Sequence, residues 1–295
     1  MRVLLIGHTG LLGQQIKQSL KINKIDFDAP SSVFLNLAQP NTLRSFFNIN
    51  SHSWDWCLNC AAFTNVDLAE IERDHCFKVN ATGPQSLARY CKHLGIRLIH
   101  LSTDYVFDGK SNAPYIEDDP VHPVNTYGIS KRRGEEFVLN ASVKRNIVVR
   151  TSCLYGTGRA SFPSAIIESF RNKKSLKVVT DQFSSPTYAP ELAKILIEIM
   201  QLGPEGGIYH AASSSIISRY EWAKLTLEFY QKWSSDQSLF KIDPISSATS
   251  DSLAKRPLFT PLSSDKLTKL GINSTPPLQL SLEHFCRTFN EACQR

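Results

Sequence analysis

A glycine-rich loop directly after a short apolar run is the feature that most constrains the fold of this chain. The apolar run is Val3 to Ile6, and residues 7–13 then read GHTGLLG before a helix-like segment that ends near Leu20. At such a junction the first glycine permits a tight turn, the second lets backbone approach a pyrophosphate, and the third allows close helix packing. A tight turn alone would also explain three glycines, but their place after an N-terminal strand favours a dinucleotide-binding loop.

Short apolar strands alternate with helices through the first half of the chain. The pattern predicts strands at 3–6, 25–28, 54–60, 96–101 and 147–150 and helices at 11–20, 41–47, 72–93 and 125–139. This alternation is typical of βαβ units and a parallel sheet. We therefore predict an α/β fold built on a Rossmann-type doubly wound parallel sheet.

The second half of the chain is less regular and predicts a smaller α/β substrate-binding domain. Its helices are expected at 162–171, 190–202, 219–233 and 278–292, with short strands at 176–179 and 207–210. We expect residues 1–155 and about 188–203 to form the dinucleotide-binding domain. Residues of about 156–187 and 204–295 would form the substrate domain.

Composition excludes several other classes of protein. The chain has 295 residues, 42% of them apolar, and no apolar run approaches the length of a transmembrane helix. Its net charge of +6 is dispersed, which argues against a nucleic-acid surface, and seven scattered cysteines do not resemble a disulfide framework. We expect a cytoplasmic protein. Cys57 and Cys60 form a Cys-x-x-Cys on an apolar strand without a second ligand pair, so no metal is assigned.

Asp28 ends the second predicted strand, where an acid can bond the adenosine ribose of NAD. A solvated turn residue is almost as good an interpretation. No arginine follows closely to hold the extra phosphate of NADP, which favours NAD slightly, and both NADH and NADPH are retained as expected cofactors.

Tyr127 and Lys131 lie four residues apart and should project from one helical face. A phenol with an ordinary pKa near ~10 transfers protons poorly at neutral pH. A neighbouring ammonium and the positive nicotinamide of an oxidised cofactor both favour the phenolate and are expected to lower that pKa. Tyr220 and Lys224 have the same spacing, so the spacing alone does not identify a site. Tyr127 differs because a strand delivers Thr103 upstream, and catalytic groups in open α/β sheets gather at the carboxyl ends of strands.

These motifs carry a specific resemblance to a known family. The chain resembles the extended short-chain dehydrogenases, and within them the reductases of nucleotide-linked keto sugars. The matching segments are 59–67, 102–109, 123–131, 150–152, 181–182, 186–187, 207–210 and 255–257.

The resemblance implies reduction of the 4-keto group of a dTDP-linked 4-keto-6-deoxy sugar by NADPH or NADH, giving dTDP-L-rhamnose or a related deoxysugar. Tyr127 would supply the proton, Thr103 would tune its hydrogen bond, and Lys131 would support the tyrosine and the nicotinamide ribose. The expected cofactor contacts are Gly7, Thr9, Gly10, Leu11, Leu12, Gly13, Asp28, Asn36, Leu37, Ala61, Ala62, Phe63, Tyr127 and Lys131. The expected substrate contacts are Thr103, Asp104, Cys153, Phe162 and Gln182. The oligomeric state is left open, with a homodimer as the candidate.

Departures from the family pattern lie on the substrate side. Cys153 stands where the family usually has a tryptophan that contacts the sugar, and Ser161, Ser184 and Phe259 also replace usual residues. Two alternatives remain: a non-catalytic NADP-binding regulatory subunit, like that of methionine adenosyltransferase, and a nucleotide-sugar epimerase or dehydratase. Tyr105 stands where related dehydratases carry a second acid, which argues for simple reduction.

Overall fold

Twelve strands and eleven α-helices follow one another in the residues that the computed structural model describes, 1–50, 53–272 and 275–293. The strands are Arg2–Ile6 (β1), Asp26–Asp28 (β2), Trp56–Asn59 (β3), Arg97–Thr103 (β4), Ile147–Thr151 (β5), Leu154–Tyr155 (β6), Leu176–Val179 (β7), Phe183–Ser184 (β8), Thr187–Tyr188 (β9), Gly207–His210 (β10), Ile217–Ser218 (β11) and Ile242–Ile245 (β12). The α-helices are Leu11–Ile22 (α1), Pro40–Ile49 (α2), Val66–Ile71 (α3), Arg73–Phe77 (α4), Gly83–His93 (α5), Thr126–Ala141 (α6), Phe162–Arg171 (α7), Ala189–Leu202 (α8), Arg219–Trp233 (α9), Asp265–Lys269 (α10) and Leu278–Cys293 (α11).

Six strands form one parallel sheet in the order β10-β5-β4-β3-β1-β2. Two apolar cores lie on its opposite faces. One core includes residues of α1 and α8, and the other includes residues of α2, α5 and α6. The predicted doubly wound, Rossmann-type sheet is confirmed.

Strand β1 shows why the sequence reads as a continuous apolar run. Val3 and Leu5 belong to the core on the α1 and α8 side, whereas Leu4 and Ile6 belong to the core on the other side. All four are at most 3% exposed. Alternate side chains of a strand point to opposite faces, so a strand covered on both faces must be apolar at every position.

A third core lies outside the main sheet, among α7, α9 and α11. The Tyr155 ring lies 5.6 Å from the Trp222 ring and 5.7 Å from the Phe285 ring. Three two-stranded ladders accompany these helices: β12 with β7, β11 with β8 and β6 with β9. The division of the chain into two domains stays a prediction.

One strand lies in a different part of the fold from its predicted place. Gly207–His210 was expected in the substrate domain, but β10 is the edge strand of the main sheet and pairs with β5 from Ile147 to Arg150. The pairing satisfies backbone groups of β5 that would otherwise form an open sheet edge. The chain therefore returns to the first sheet before it enters α9.

The predicted helix over 72–93 is not continuous. Residues Lys78–Thr82 form a π-helical turn between α4 and α5, and the short helix α3 precedes them. The turn carries Asn80, whose side chain accepts a hydrogen bond from Phe63 N at 2.8 Å and donates one to Phe63 O at 3.0 Å. A single π-helical turn inside a helix often marks a functional region, and this one holds the segment after β3 in place.

Candidate active site

The glycine loop lies at the carboxyl end of β1, and its glycines are required by close backbone contacts. Gly7 has a φ of +83°, and a Cβ there would lie 2.6 Å from Ala61 N. A Cβ on Gly13 would lie 2.1 Å from Gly7 O. No larger side chain fits at either position, so the loop keeps bare backbone at the N-terminus of α1, where an anionic group is favoured.

The segment Ala61 to Phe63 forms the neighbouring wall of this loop. Ala61 N donates to Asn59 Oδ1 at 3.1 Å, and Asn80 holds both backbone groups of Phe63. Asn36 accepts a hydrogen bond from Ala38 N at 2.9 Å, while Leu37 is buried. The structure thus brings the glycine loop and segment 61–63 together, as the resemblance implies.

Asp28 has partners other than a ribose. Its Oδ2 accepts hydrogen bonds from Arg2 Nε at 3.1 Å and from Trp54 Nε1 at 2.7 Å, and it forms an ion pair with Arg2. In the sheet register Asp28 lies beside Leu4, before the carboxyl end of β1. These bonds to Oδ2 join β1 and β2 to the segment before β3 and argue against the expected ribose contact, which stays a prediction.

The catalytic candidates converge at the carboxyl end of β4. Thr103 is the last residue of that strand, and Tyr127 and Lys131 lie in the first turns of α6. Asn125 caps α6 by accepting from Gly128 N at 2.8 Å. A Cβ on Gly128 would lie 2.2 Å from Tyr105 O, so the glycine lets α6 approach the turn after β4 closely.

Lys131 contacts the strand and not the tyrosine. Its Nζ donates to Leu101 O at 2.5 Å, and the side chain is buried. Burial lowers the pKa of Lys131 from its ordinary value to about 8, and Glu135 opposes that shift. A buried ammonium tied to a carbonyl oxygen of β4 is fixed in position between that strand and α6.

Tyr127 keeps its phenolic proton in the protein without bound cofactor. Burial of its phenol raises the pKa above the ordinary value, and the adjacent Thr103 hydroxyl opposes the shift. In the protein without cofactor, burial outweighs any effect of Lys131. A lowered pKa in the presence of the oxidised cofactor stays a prediction. A protonated phenol is the form required of a proton donor.

Asp104 is buried and does not face an open pocket. Its carboxylate accepts three hydrogen bonds from hydroxyl groups: Thr103 Oγ1 at 3.0 Å, Ser152 Oγ at 2.7 Å and Thr260 Oγ1 at 2.6 Å. Burial raises the pKa of this carboxyl, while the three hydroxyls lower it. Asp104 therefore orients Thr103 and joins it to the segment around Thr260, and sequence reasoning missed this role.

Three of the expected substrate-side residues, Cys153, Phe162 and Gln182, contact Arg219. Tyr105 lies beside the same arginine, and its ring is 5.9 Å from the Tyr127 ring. Cys153 follows β5 with a φ of +43°, and Phe162 begins α7. Gln182 contributes its backbone oxygen, which accepts from Arg219 N at 3.0 Å. Arg219 was not predicted, because nothing in its sequence position at the start of an amphipathic helix points to a pocket.

Tyr220 and Lys224, the second tyrosine–lysine pair, lie at the third apolar core. Tyr220 packs against the third core, and Lys224 Nζ lies 5.7 Å from its ring centroid.

Cys57 and Cys60 lie against different cores, on opposite faces of the sheet. In the described ranges no group of three or more His, Cys, Asp or Glu side chains could hold a metal ion. Nor does any described helix combine the length and apolarity needed to cross a membrane.

A parallel sheet with a glycine-rich loop after β1, and with a threonine, a tyrosine and a lysine gathered at the carboxyl end of β4, is the architecture of a Rossmann-type oxidoreductase, and this chain belongs to that class. Its residues 1–291 match the family model described as the RmlD substrate binding domain. The chain is a member of that family.

Relatives with known names support this assignment. The chain is 37% identical to the spore coat polysaccharide biosynthesis protein SpsK of Bacillus subtilis, over 77% of this chain and 78% of that protein. It is 35% identical to the dTDP-4-dehydrorhamnose reductase of Mycobacterium tuberculosis, over 92% of this chain and 88% of that enzyme. The fold is similar to the crystal structure of dTDP-4-dehydrorhamnose reductase from Bacillus anthracis in complex with NADP. That comparison gives a TM-score of 0.89 and 29% identity, over 96% of this chain and 98% of the other.

Proposed function

We propose that this chain reduces the 4-keto group of a dTDP-linked 4-keto-6-deoxy sugar, with NADPH or NADH as the hydride source and Tyr127 as the proton donor. The observation that carries the proposal is the protonated Tyr127 phenol beside Thr103, at the same sheet edge as the glycine loop. The names of the relatives supply the substrate class, with dTDP-4-dehydrorhamnose as the best candidate.

The glycine loop fits a dinucleotide because its backbone cradle is one that a Cβ would fill. Gly7, Gly10 to Gly13 and Ala61 to Phe63 would hold the cofactor. A bound reduced nicotinamide supplies a hydride, which forms the new C–H bond at the keto carbon.

The protein's own contribution is the proton. As the C=O bond becomes a C–O single bond, Tyr127 Oη gives its proton to that oxygen, so the ketone becomes a secondary alcohol. Lys131, held by Leu101 O, stabilises the phenolate that remains. Thr103, whose own proton points to Asp104, presents an oxygen that can accept a hydrogen bond.

The experiment follows the absorbance of NADPH and of NADH with dTDP-4-keto-6-deoxyglucose and with dTDP-4-dehydrorhamnose. Oxidation of either cofactor is expected, with an alcohol at C4 of the product. If the protein binds a cofactor but oxidises it with neither sugar, the proposal is wrong. The regulatory-subunit alternative predicts that result. The dehydratase alternative also predicts no oxidation with these two sugars, and it predicts loss of water without net cofactor oxidation from a dTDP-hexose that still has its 4- and 6-hydroxyls. The homodimer and the cytoplasmic location stay predictions.

Replacing Asp28 with asparagine is expected to leave the dissociation constant for NADPH and NADH unchanged, because the carboxylate bonds Arg2 and Trp54. The free energy of unfolding should fall by about 1 kcal/mol, since the ion pair is partly exposed. Fluorescence titration and urea denaturation measure the two effects. Asp26→Asn, on the same strand but exposed, is the control. Weaker cofactor binding in Asp28→Asn but not in Asp26→Asn would show that Asp28 contacts the cofactor.

A further inference from the structure

The guanidinium of Arg219 lies next to Tyr105, the aromatic neighbour of Tyr127. Arg219 begins α9, and its Nη2 donates to Cys153 Sγ at 3.0 Å. Its guanidinium lies 5.1 Å from the Phe162 ring centroid and 5.4 Å from that of Trp222. Arg219 is therefore positioned by four segments of the chain: the residues after β5, helix α7, the region of Gln182 and its own helix α9.

The backbone holds this arginine firmly. Arg219 N donates to Gln182 O at 3.0 Å, and the preceding Ser218 caps the helix by accepting from Glu221 N at 3.1 Å. Glu221 in turn accepts from Ser218 Oγ at 2.8 Å. The only acid on this first turn is thus turned back to the helix cap, and it does not neutralise Arg219.

Within the described part of the chain, Arg219 is absent from every ion pair. A guanidinium carries five N–H donors. The Arg219 guanidinium bonds the Cys153 thiol, which is a weak acceptor, and the Tyr105 phenol. Asp104, the acid whose charge reaches it, already accepts three hydrogen bonds from hydroxyl groups. Arg219 therefore retains its charge, together with the N–H donors that bond neither Cys153 nor Tyr105, for a ligand.

Arg219 lies close enough to the catalytic candidates for its free N–H donors to face the sugar. Its charge acts on the Tyr105 phenol, and the Tyr105 ring is 5.9 Å from the Tyr127 ring. Tyr105, Tyr127, Cys153, Phe162 and Arg219 are all partly exposed, whereas Thr103, Asp104 and Ser152 behind them are buried. A ring whose keto oxygen lies at Tyr127 would present its other substituents to this wall.

We propose that Arg219 is a specificity-determining residue that donates a hydrogen bond to a ring hydroxyl oxygen of the keto sugar. The small side chain of Cys153 leaves room for the guanidinium and holds it in place. This inference rests on the proposed function. It means that the enzyme favours 4-keto sugars with hydroxyls at C2 and C3 over their 2-deoxy or 3-deoxy counterparts, because a site built around a donor loses a partner when the oxygen is missing.

The test compares Arg219→Met with the wild-type protein on dTDP-4-keto-6-deoxyglucose and on its 2-deoxy and 3-deoxy counterparts. A hydrogen bond to a charged group corresponds to about a 10- to 100-fold loss of kcat/KM on the hydroxylated sugar, mostly through KM. The loss should vanish on the counterpart that lacks the bonded oxygen. Arg219→Lys should recover part of it. Lys224→Met removes a cation from the same helix and should behave as wild type.

Three results would overturn the inference. One is an equal loss of kcat/KM on the hydroxylated sugar and on both deoxy sugars. Another is no loss on any of them in a variant with a wild-type melting temperature. The third is weaker inhibition by dTDP alone in Arg219→Met, because that places the contact on the diphosphate. A wild-type protein that turns over none of these sugars would instead mean that the proposed function is wrong.

Discussion

Replacing Tyr127 with phenylalanine is expected to lower kcat by about 10²- to 10⁴-fold, the usual contribution of a positioned proton donor. The hydroxyl is the only group removed, and the structure places it beside Thr103 with its proton retained. The binding of NADPH or NADH should be kept, since the glycine loop and segment 61–63 are unchanged. Stopped-flow or steady-state oxidation gives kcat, and fluorescence titration gives cofactor affinity.

Tyr220→Phe is the matched control because it makes the same change in the same spacing to a lysine. Tyr220 lies against the third core, so its variant should keep wild-type turnover. Equal losses of kcat in the two variants would mean that the loss comes from general destabilisation. Full activity in Tyr127→Phe would remove the tyrosine from the mechanism and leave proton delivery to another group.

Local sequence patterns predicted the elements of this fold well. The apolar residues of β1 and the glycine loop after it specify a buried parallel strand and a tight turn, and both are present. Helices α7 and α9 begin and end at the predicted residues. In each case the information is local: a run of apolar residues, a capping serine or a periodic helix face.

Contacts between distant segments could not be read in the same way. Asp28 meets Trp54, and Asp104 meets Thr260, across 26 and 156 residues of sequence. Such contacts depend on how the elements pack against each other, and sequence spacing does not predict them. Arg219 was missed for the same reason. The raised pKa of Tyr127 in the protein without cofactor could not be predicted, because the sequence shows the lysine but not the burial of the phenol.

Replacing Glu135 with glutamine is expected to lower the free energy of unfolding by about 3–5 kcal/mol, because it leaves a buried guanidinium without its counter-charge. Arg150 donates from Nε to Glu135 Oε1 at 2.9 Å and from Nη2 to Oε2 at 2.8 Å. The side chains are only 2% and 4% exposed. This pair anchors α6, the helix of Tyr127 and Lys131, to strand β5. Urea denaturation measures the change.

Glu136→Gln is the control for this prediction. Glu136 pairs with Arg132 and Arg133 on the surface of the same helix, and an exposed pair contributes less than about 1 kcal/mol. The double variant Glu135→Leu with Arg150→Met removes both charges and should recover most of the loss, since apolar pairs of similar volume often replace buried ion pairs. A double variant as unstable as Glu135→Gln would show that packing, and not the unpaired charge, sets the cost.

The pH dependence of stability gives a second, independent signature of Glu135. Lys131 has a pKa of about 8 in the folded chain, against an ordinary value of 10.5, so the unfolded chain binds more protons between these values. The contribution of Lys131 to the free energy of unfolding should therefore rise with pH across that interval. Buried thiols and phenols, whose pKa values are raised, lower the stability of both variants alike as pH rises, so the coupling is read from the difference between Glu135→Gln and wild type. Because Glu135 raises the pKa of Lys131, Glu135→Gln should extend the rise to below pH 8. Denaturation curves of Glu135→Gln and wild type that stay parallel from neutral to alkaline pH would contradict this coupling.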